Sequence, residues 1–313
     1  MEEMEREPIA GVRGRHGAQN LVVLGGQLVA WAMLLSVVDR HSLPLAARVA
    51  AVIAFCLVMQ GVFSMMHEFF HRNAHGDGHV NDVIGVVAST LFMTSATLHR
   101  INHWGHHVRN RTAAERGEFI HEGESAVGKV LLYYAATMGG LWLGGLLFPI
   151  ASLFIPFSAV TWLGSSPRFN TYRAAFRQFA RSDWTRMRLE ALLLVALWSA
   201  IVVAGVWRFQ TVVVCYAAFA YSWSALQWIY HLRTPLHPVE GTYNLRLPTP
   251  LRWLFLNFNC NLTHHRHPEL PWQELHQQSD PRETQPLWFR WLLMFLPPRR
   301  FPEDTSSLAK RYF

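Results

Sequence analysis

The sequence predicts an all-α fold, a polytopic membrane helix bundle of about four spanning helices. An apolar hairpin, interfacial or re-entrant, is expected near 130–163, and a histidine-rich helical cap on the cytoplasmic side. Three observations carry this expectation. Of 313 residues, 51% are hydrophobic and only 16% charged, where a soluble domain usually carries about a quarter charged residues. The hydrophobicity is gathered into uncharged runs at 20–38, 49–66, 130–163, 191–207 and 209–230, most of them near the roughly 17–25 residues of a membrane helix. Finally, 17 histidines approach the 21 carboxylates in number, too many for solubilising decoration in so apolar a chain.

Residues 1–19 form a polar tail of mixed charge, with Glu2, Glu3, Glu5, Arg6, Glu7, Arg13 and Arg15. It has no short apolar core ending in a small-residue site, so a cleaved signal peptide is not expected. A first helix pair follows over 20–66, then a stretch at 67–129 that carries two histidine clusters. The run at 130–163 would be about 51 Å long as one helix, against a bilayer core of about 30 Å. Gly144, Gly145 and Pro149 near its middle offer a bend, and an even number of passes, zero or two, is expected. A second helix pair spans 191–230, and 231–313 forms the cap. No internal repeat or low-complexity linker divides the chain, so 1–313 reads as a single domain.

Charge gives the orientation. With these spans only Arg40, Arg48 and Arg208 of the 28 Lys and Arg residues fall on one side. The crowded side is expected to be cytoplasmic by the positive-inside bias, and the cell inner membrane is the expected location. The same topology leaves only His41 outside and puts the other 16 histidines on the cytoplasmic face. The net charge of +7 therefore reports topology and contact with anionic lipid, not nucleic acid. Cys56, Cys215 and Cys260 have no paired spacing, which excludes a disulfide framework and a CxxC metal site.

The histidines cluster. His67-Glu68-Phe69-Phe70-His71 closes the second apolar run, and residues four apart share a helix face, so both rings can reach one metal. His103-Trp104-Gly105-His106-His107 repeats the device with spacings of three and four. Asn261-Leu262-Thr263-His264-His265 is the third cluster, and His231 ends the last long apolar run. One such pair is weak evidence. Several at the same membrane depth point to metal, and about eight imidazoles exceed what one tetrahedral ion uses, so two metals are expected. The first cluster also reads as HExxH, the motif of zinc proteases. That reading leaves His103, His106, His107, His231, His264 and His265 without work and lacks a downstream aspartate motif.

Together these residues resemble the membrane fatty acid desaturase superfamily. Arg100-Ile101-Asn102-His103-Trp104-Gly105-His106-His107 is similar to its WRxxHxxHH pattern, His264-His265-Arg266-His267-Pro268 to its HHxxP, and Asn81-Asp82 after the first box also fits. The likeness covers roughly 50–275. It implies a centre of two Fe ions with O2 as co-substrate, held by His67, His71, His103, His106, His107, His231, His264 and His265. Asn261 stands where the family has the first histidine of its third box, which implies a water-mediated or neighbouring role. Asp82, Asn102, Glu115 and Glu118 are the expected partners of the ligands' outer N–H groups. His99, which takes the tryptophan slot of the second pattern, and His75, His79, His121 and His267 are read as surface or supporting residues, and His237 is left open.

The implied reaction is oxidation of an unactivated C–H bond in a fatty-acyl or related lipid, first of all desaturation. Hydroxylation, ketolation and decarboxylation to a terminal alkene use similar boxes. Trp142, Trp162, Trp223 and Trp228 are candidates for lining a substrate tunnel, or for packing and interfacial anchoring. The sequence holds no haem, rubredoxin or flavin motif, so electrons are expected from a separate ferredoxin- or cytochrome-like protein with its reductase. Arg168, Arg173, Arg177, Arg181, Arg186 and Arg188 form a basic stretch that fits either membrane anchoring or docking of that acidic partner.

Overall fold

The computed structural model describes residues 16–165 and 176–302. Most of the polar tail, with Arg168 and Arg173 of the basic stretch, lies outside the described residues. Helices α1 (Gly17–Asp39) and α2 (Leu45–Phe70) cover the first two apolar runs and pack antiparallel. At 23 and 26 residues they are about 34 and 39 Å long, enough to cross a bilayer core. Helix α2 outruns its apolar stretch and carries His67 on its last turn, with His71 capping it.

Two helices of the 67–129 stretch follow, α3 (Gly78–Phe92) and α4 (Ala96–Arg109). Asp77 caps α3 by accepting the His79 and Val80 N–H groups, and Ser95 caps α4 by accepting that of Leu98. Between them Met93 takes a left-handed conformation at φ 62°, and the pair is bent by 98°. The sequence reading missed this V-shaped pair, because its apolar residues are interrupted by Arg100 and the histidines.

The 130–163 run is broken rather than continuous. Helices α5 (Ala126–Ala135) and α6 (Leu141–Ser152) are separated at Gly139, whose φ of 120° only glycine adopts without strain, and α7 (Phe157–Ser165) follows a second turn. Taken together, α5 and α6 are long and apolar enough to cross a membrane as one broken span, which departs from the even number of passes expected from the charge distribution.

Helix α8 (Arg181–Val203) begins ten residues before the expected span at 191–207 and stops short of its end. Its first half carries Arg181, Arg186, Arg188 and Glu190, and it is not among the four described helices long and apolar enough to cross. Those four are α1, α2, the broken α5 and α6 segment, and α9 (Phe209–His231). The expected number of spans therefore stands, with a different third member. The charged half of α8 is used inside the fold: the Glu190 carboxylate accepts from Ser95 Oγ at 2.5 Å, Thr97 N at 3.0 Å and Thr97 Oγ1 at 2.7 Å. It thereby satisfies the open Thr97 N–H and faces the positive end of α4. Arg188 donates to the Ser152 and Ile155 carbonyls at 2.6 and 2.7 Å.

At the end remote from the histidines, Asp39 closes α1 against α9 by accepting from Arg208 N and Thr211 Oγ1. Midway, Trp31 Nε1 donates to Tyr216 Oη at 2.9 Å, and Tyr216 donates to the Leu91 carbonyl at 2.6 Å. The cap is built from short helices α10 (Thr249–Leu254), α11 (Asn261–Arg266), α12 (Trp272–Leu275) and α13 (Leu287–Leu293). Two parallel strand pairs tie it together, Asn244–Arg246 with Thr284–Pro286 and Phe119–Ile120 with Arg299–Arg300. Trp272 docks it onto the bundle: its indole donates to Asn20 Oδ1 at 2.9 Å and its backbone N–H to Glu68 at 3.3 Å.

Gly61 of α2 lets the cap approach, since a Cβ there would collide with the Leu254 carbonyl oxygen. Gly61→Ala is expected to lower stability by about 1–3 kcal/mol, as overpacking usually does, read as a lower melting temperature in detergent. Gly26→Ala on α1, where a Cβ meets nothing within 4 Å, serves as the control and should melt as the unaltered protein does.

Candidate metal centre

The bundle brings four distant segments to one place. Helix α2 supplies His67 and His71, one turn apart on one face. Helix α4 supplies His103, His106 and His107, the C-terminal end of α9 supplies His231, and α11 supplies His264 and His265. Two groups result. The ligand atoms of His67, His71, His103 and His264 all lie within 4.8 Å of one another, as do those of His106, His231 and His265. His107 stands between them, its Nε2 3.0 Å from that of His103 and 3.1 Å from that of His264, with its ring 4.6 Å from that of His265.

The spacing fits metal coordination. Two imidazole nitrogens at about 2.1 Å from one ion and at right angles to each other stand about 3.0 Å apart. The Nε2 atoms of His67 and His264 are 3.1 Å apart and those of His71 and His103 are 2.6 Å apart. Four to seven imidazoles without carboxylate ligands suit a borderline transition metal and not Mg²⁺ or Ca²⁺. Burial keeps the rings neutral, as ligands must be: it pushes His71 down to about 3 and holds His264 and His265 well below the ordinary histidine range.

The outer nitrogens of the second group are fixed. His106 Nδ1 donates to Glu115 at 2.6 Å, and that carboxylate also accepts from Arg109 Nε at 3.0 Å. His231 Nδ1 donates to the Gly241 carbonyl at 3.0 Å. Each bond sets the tautomer that leaves Nε2 free for a metal.

The other expected partners are placed differently. Glu118 is buried in an ion pair with Arg111 at 2.7 Å and accepts from Arg233 N, just past His231. Asp82 pairs with Arg186 at 3.4 Å near the surface, away from the rings, and Asn102 is half-buried on α4. Asn261 is buried and its Oδ1 accepts from the Thr242 hydroxyl at 2.6 Å, which ties α11 to the segment after His231. Glu68 turns to Trp272 of the cap. His79, His237 and His267 are exposed, His75 accepts from Asp77 N, and His121 packs on Phe301. Sequence reasoning missed Glu190, Thr242 and the Gly241 carbonyl. Of these only Glu190 left a trace, as a carboxylate at the edge of an apolar run.

The family model described as Fatty acid desaturase matches residues 42–295, a range that takes in every histidine of both groups. Among curated proteins none matches the chain.

Glu115→Ala should leave the His106 ring free to turn and weaken metal retention by about 10- to 100-fold, measured as metal content after dialysis against a chelator. Acid should act through the buried rings. The unfolded chain protonates them near pH 6.5 and the folded chain only far below, so stability is complete above about pH 6.5 and declines beneath it. The slope is about 1.4 kcal/mol per pH unit for each ring kept neutral. The melting temperature of metal-free protein is expected to drop between pH 7 and pH 5, and a flat profile would contradict the burial.

Proposed function

The chain belongs to the fatty acid desaturase family, and on that premise we propose that it oxidises an unactivated C–H bond in a fatty-acyl or related lipid chain, by desaturation. Two iron ions would be held by His67, His71, His103, His106, His107, His231, His264 and His265, with O2 as co-substrate and electrons from a separate donor protein. The observation that carries this reading is the pair of histidine groups, four rings and three, with His107 between them. When bound, such a centre supplies a reduced metal pair able to activate O2. Desaturation removes two hydrogens from adjacent carbons, and O2 becomes two waters with two further electrons and protons from the donor.

The protein's own work is positioning and dryness. Helices α2, α4, α9 and α11 fix the rings, Glu115 and Gly241 orient His106 and His231, and Trp272 with Glu68 holds the cap over the end of α2. Beneath the rings, Phe63, Phe70, Phe92 and Phe258 pack against them and one another at 4.9 to 6.4 Å, an apolar surrounding suited to a lipid chain and hostile to water. The site faces the cytoplasm in this reading, where a soluble electron carrier reaches it. The basic stretch offers that carrier little free charge among the described residues, since Arg177 donates to the Gly164 carbonyl, Arg186 pairs with Asp82 and Arg188 is held by two carbonyls.

The orientation of Glu68 speaks against the zinc protease alternative. In an HExxH protease the glutamate must reach the metal-bound water, whereas here it accepts from the Trp272 backbone.

Purified protein should hold about two irons per chain, and one tightly held zinc without iron would overturn the proposal. His106→Ala and His264→Ala should each abolish O2-dependent turnover while the protein still inserts in the membrane. Asn261→Ala should reduce iron content, because α11 loses its tie to Thr242. Lipid and hydrocarbon profiling of expressing cells should reveal new double bonds; hydroxylated, oxo or chain-shortened terminal-alkene products would reassign the reaction.

A further inference from the structure

Below the histidines, facing helices α4 and α9 hold polar atoms that no protein group satisfies. His99 lies one turn before His103 on α4, and Gln227 and Trp223 lie one and two turns before His231 on α9. The Nε2 of His99, the Nε1 of Trp223 and the Nε2 of Gln227 are each buried without a hydrogen-bond partner. The two helices face each other along this length. The His106 and His231 rings are 4.6 Å apart at the upper end, and the His99 and Trp223 rings 6.0 Å apart below. Residues 223, 227 and 231 repeat every four positions and so lie along one face of α9, with Gln227 one turn from each of the other two.

Helix α6 closes a further side. Trp142 N donates to Ser224 Oγ at 3.2 Å, and Gly145 presents no side chain where a Cβ would stand 2.9 Å from His99 Nε2. The remaining neighbours are apolar rings, with Phe92 5.4 Å from His99 and 5.0 Å from Trp223, and Phe63 5.2 Å from Trp223. Trp228 and Tyr230, whose polar side-chain atoms are also unpartnered, pack on Tyr133 and Phe258 instead.

Buried polar groups are paired in more than nine cases in ten, so three unpaired atoms on two helices that meet at His99–Trp223 and at His106–His231 call for a ligand. An indole N–H and a side-chain NH2 can only donate, and a neutral imidazole offers one N–H. A plain hydrocarbon chain would leave all three unsatisfied. An ester carbonyl has two lone pairs, whereas a carboxylate has about four acceptor positions over two oxygens. We infer that the substrate is a free fatty acid whose carboxylate is bound by His99, Trp223 and Gln227, within about two helical turns of the metal-binding histidines. The carbons presented for oxidation are then those near the carboxyl end. The inference rests on the oxidase reading above and narrows its substrate to an unesterified acid.

Competition binding tests it. Iron-loaded protein in lipid nanodiscs is equilibrated with radiolabelled palmitic acid, which is then displaced by unlabelled palmitic acid, methyl palmitate or hexadecane. The acid is expected to compete at least tenfold better than the ester, and the alkane least. Trp223→Phe and Gln227→Met, which remove donors while keeping bulk, should each weaken palmitic acid about tenfold and bring acid and ester together, with iron content unchanged. Equal competition by acid and ester, or variants that bind palmitic acid as the unaltered protein does, would overturn the inference. A variant that loses iron has lost its fold, and the acid-to-ester ratio of the unaltered protein then decides alone. Failure of the oxidase reading is separately visible, as absence of iron and of O2-dependent product.

Discussion

The structure depends on keeping a set of imidazoles neutral, close together and dry at one end of a helix bundle. Nitrogen atoms 2.6 to 3.1 Å apart tolerate no protonated pair, because two like charges at that distance in a medium of low polarity repel strongly. Burial meets this demand by disfavouring the charged form. It also sets the demand, since a buried ring with an unused nitrogen is costly unless a metal or a hydrogen bond takes it up. Helix lengths, the bent α3 and α4 pair and the docking of the cap all serve to bring rings from residues 67 to 265 into that one region.

The supporting contacts divide by function. Glu115 and the Gly241 carbonyl act on ring nitrogens directly and decide which lone pair faces inward. Glu190, Thr242 and Trp272 act on backbone and helix ends: they hold the start of α4, the start of α11 and the cap against the bundle. A carboxylate on the Thr97 N–H at the start of α4 combines hydrogen bonding with the helix dipole in an apolar setting, where both are strong. It therefore fixes the helix that carries three of the histidines. The buried Arg111 and Glu118 pair does similar work behind His231, where Arg111 also donates to the Thr234 and Pro235 carbonyls.

The transmembrane character was legible because it is a matter of composition over windows of about 20 residues, and such windows are local. Where the reading differed, the cause was charge inside a helix. The 191–207 run is only the apolar half of α8, and its charged half is satisfied by Ser95, Thr97 and backbone carbonyls that no local window reveals. The break in the 130–163 run was expected from its excess length. Its place, at Gly139 and not at Gly144, Gly145 or Pro149, was set by packing against Ala220 and Tyr221 of α9.

By itself the sequence determined that the chain is a membrane helix bundle and which histidines are spaced to share a helix face. These follow from hydrophobic period and from the 3.6-residue turn, which need no knowledge of distant segments. Only the tertiary structure decided how the rings divide into a group of four and a group of three, that Glu115 rather than Asp82 meets a histidine, and that His99 meets Trp223 below them. Those are contacts between segments up to about 200 residues apart in the chain, and their geometry exists only once the helices have crossed and packed.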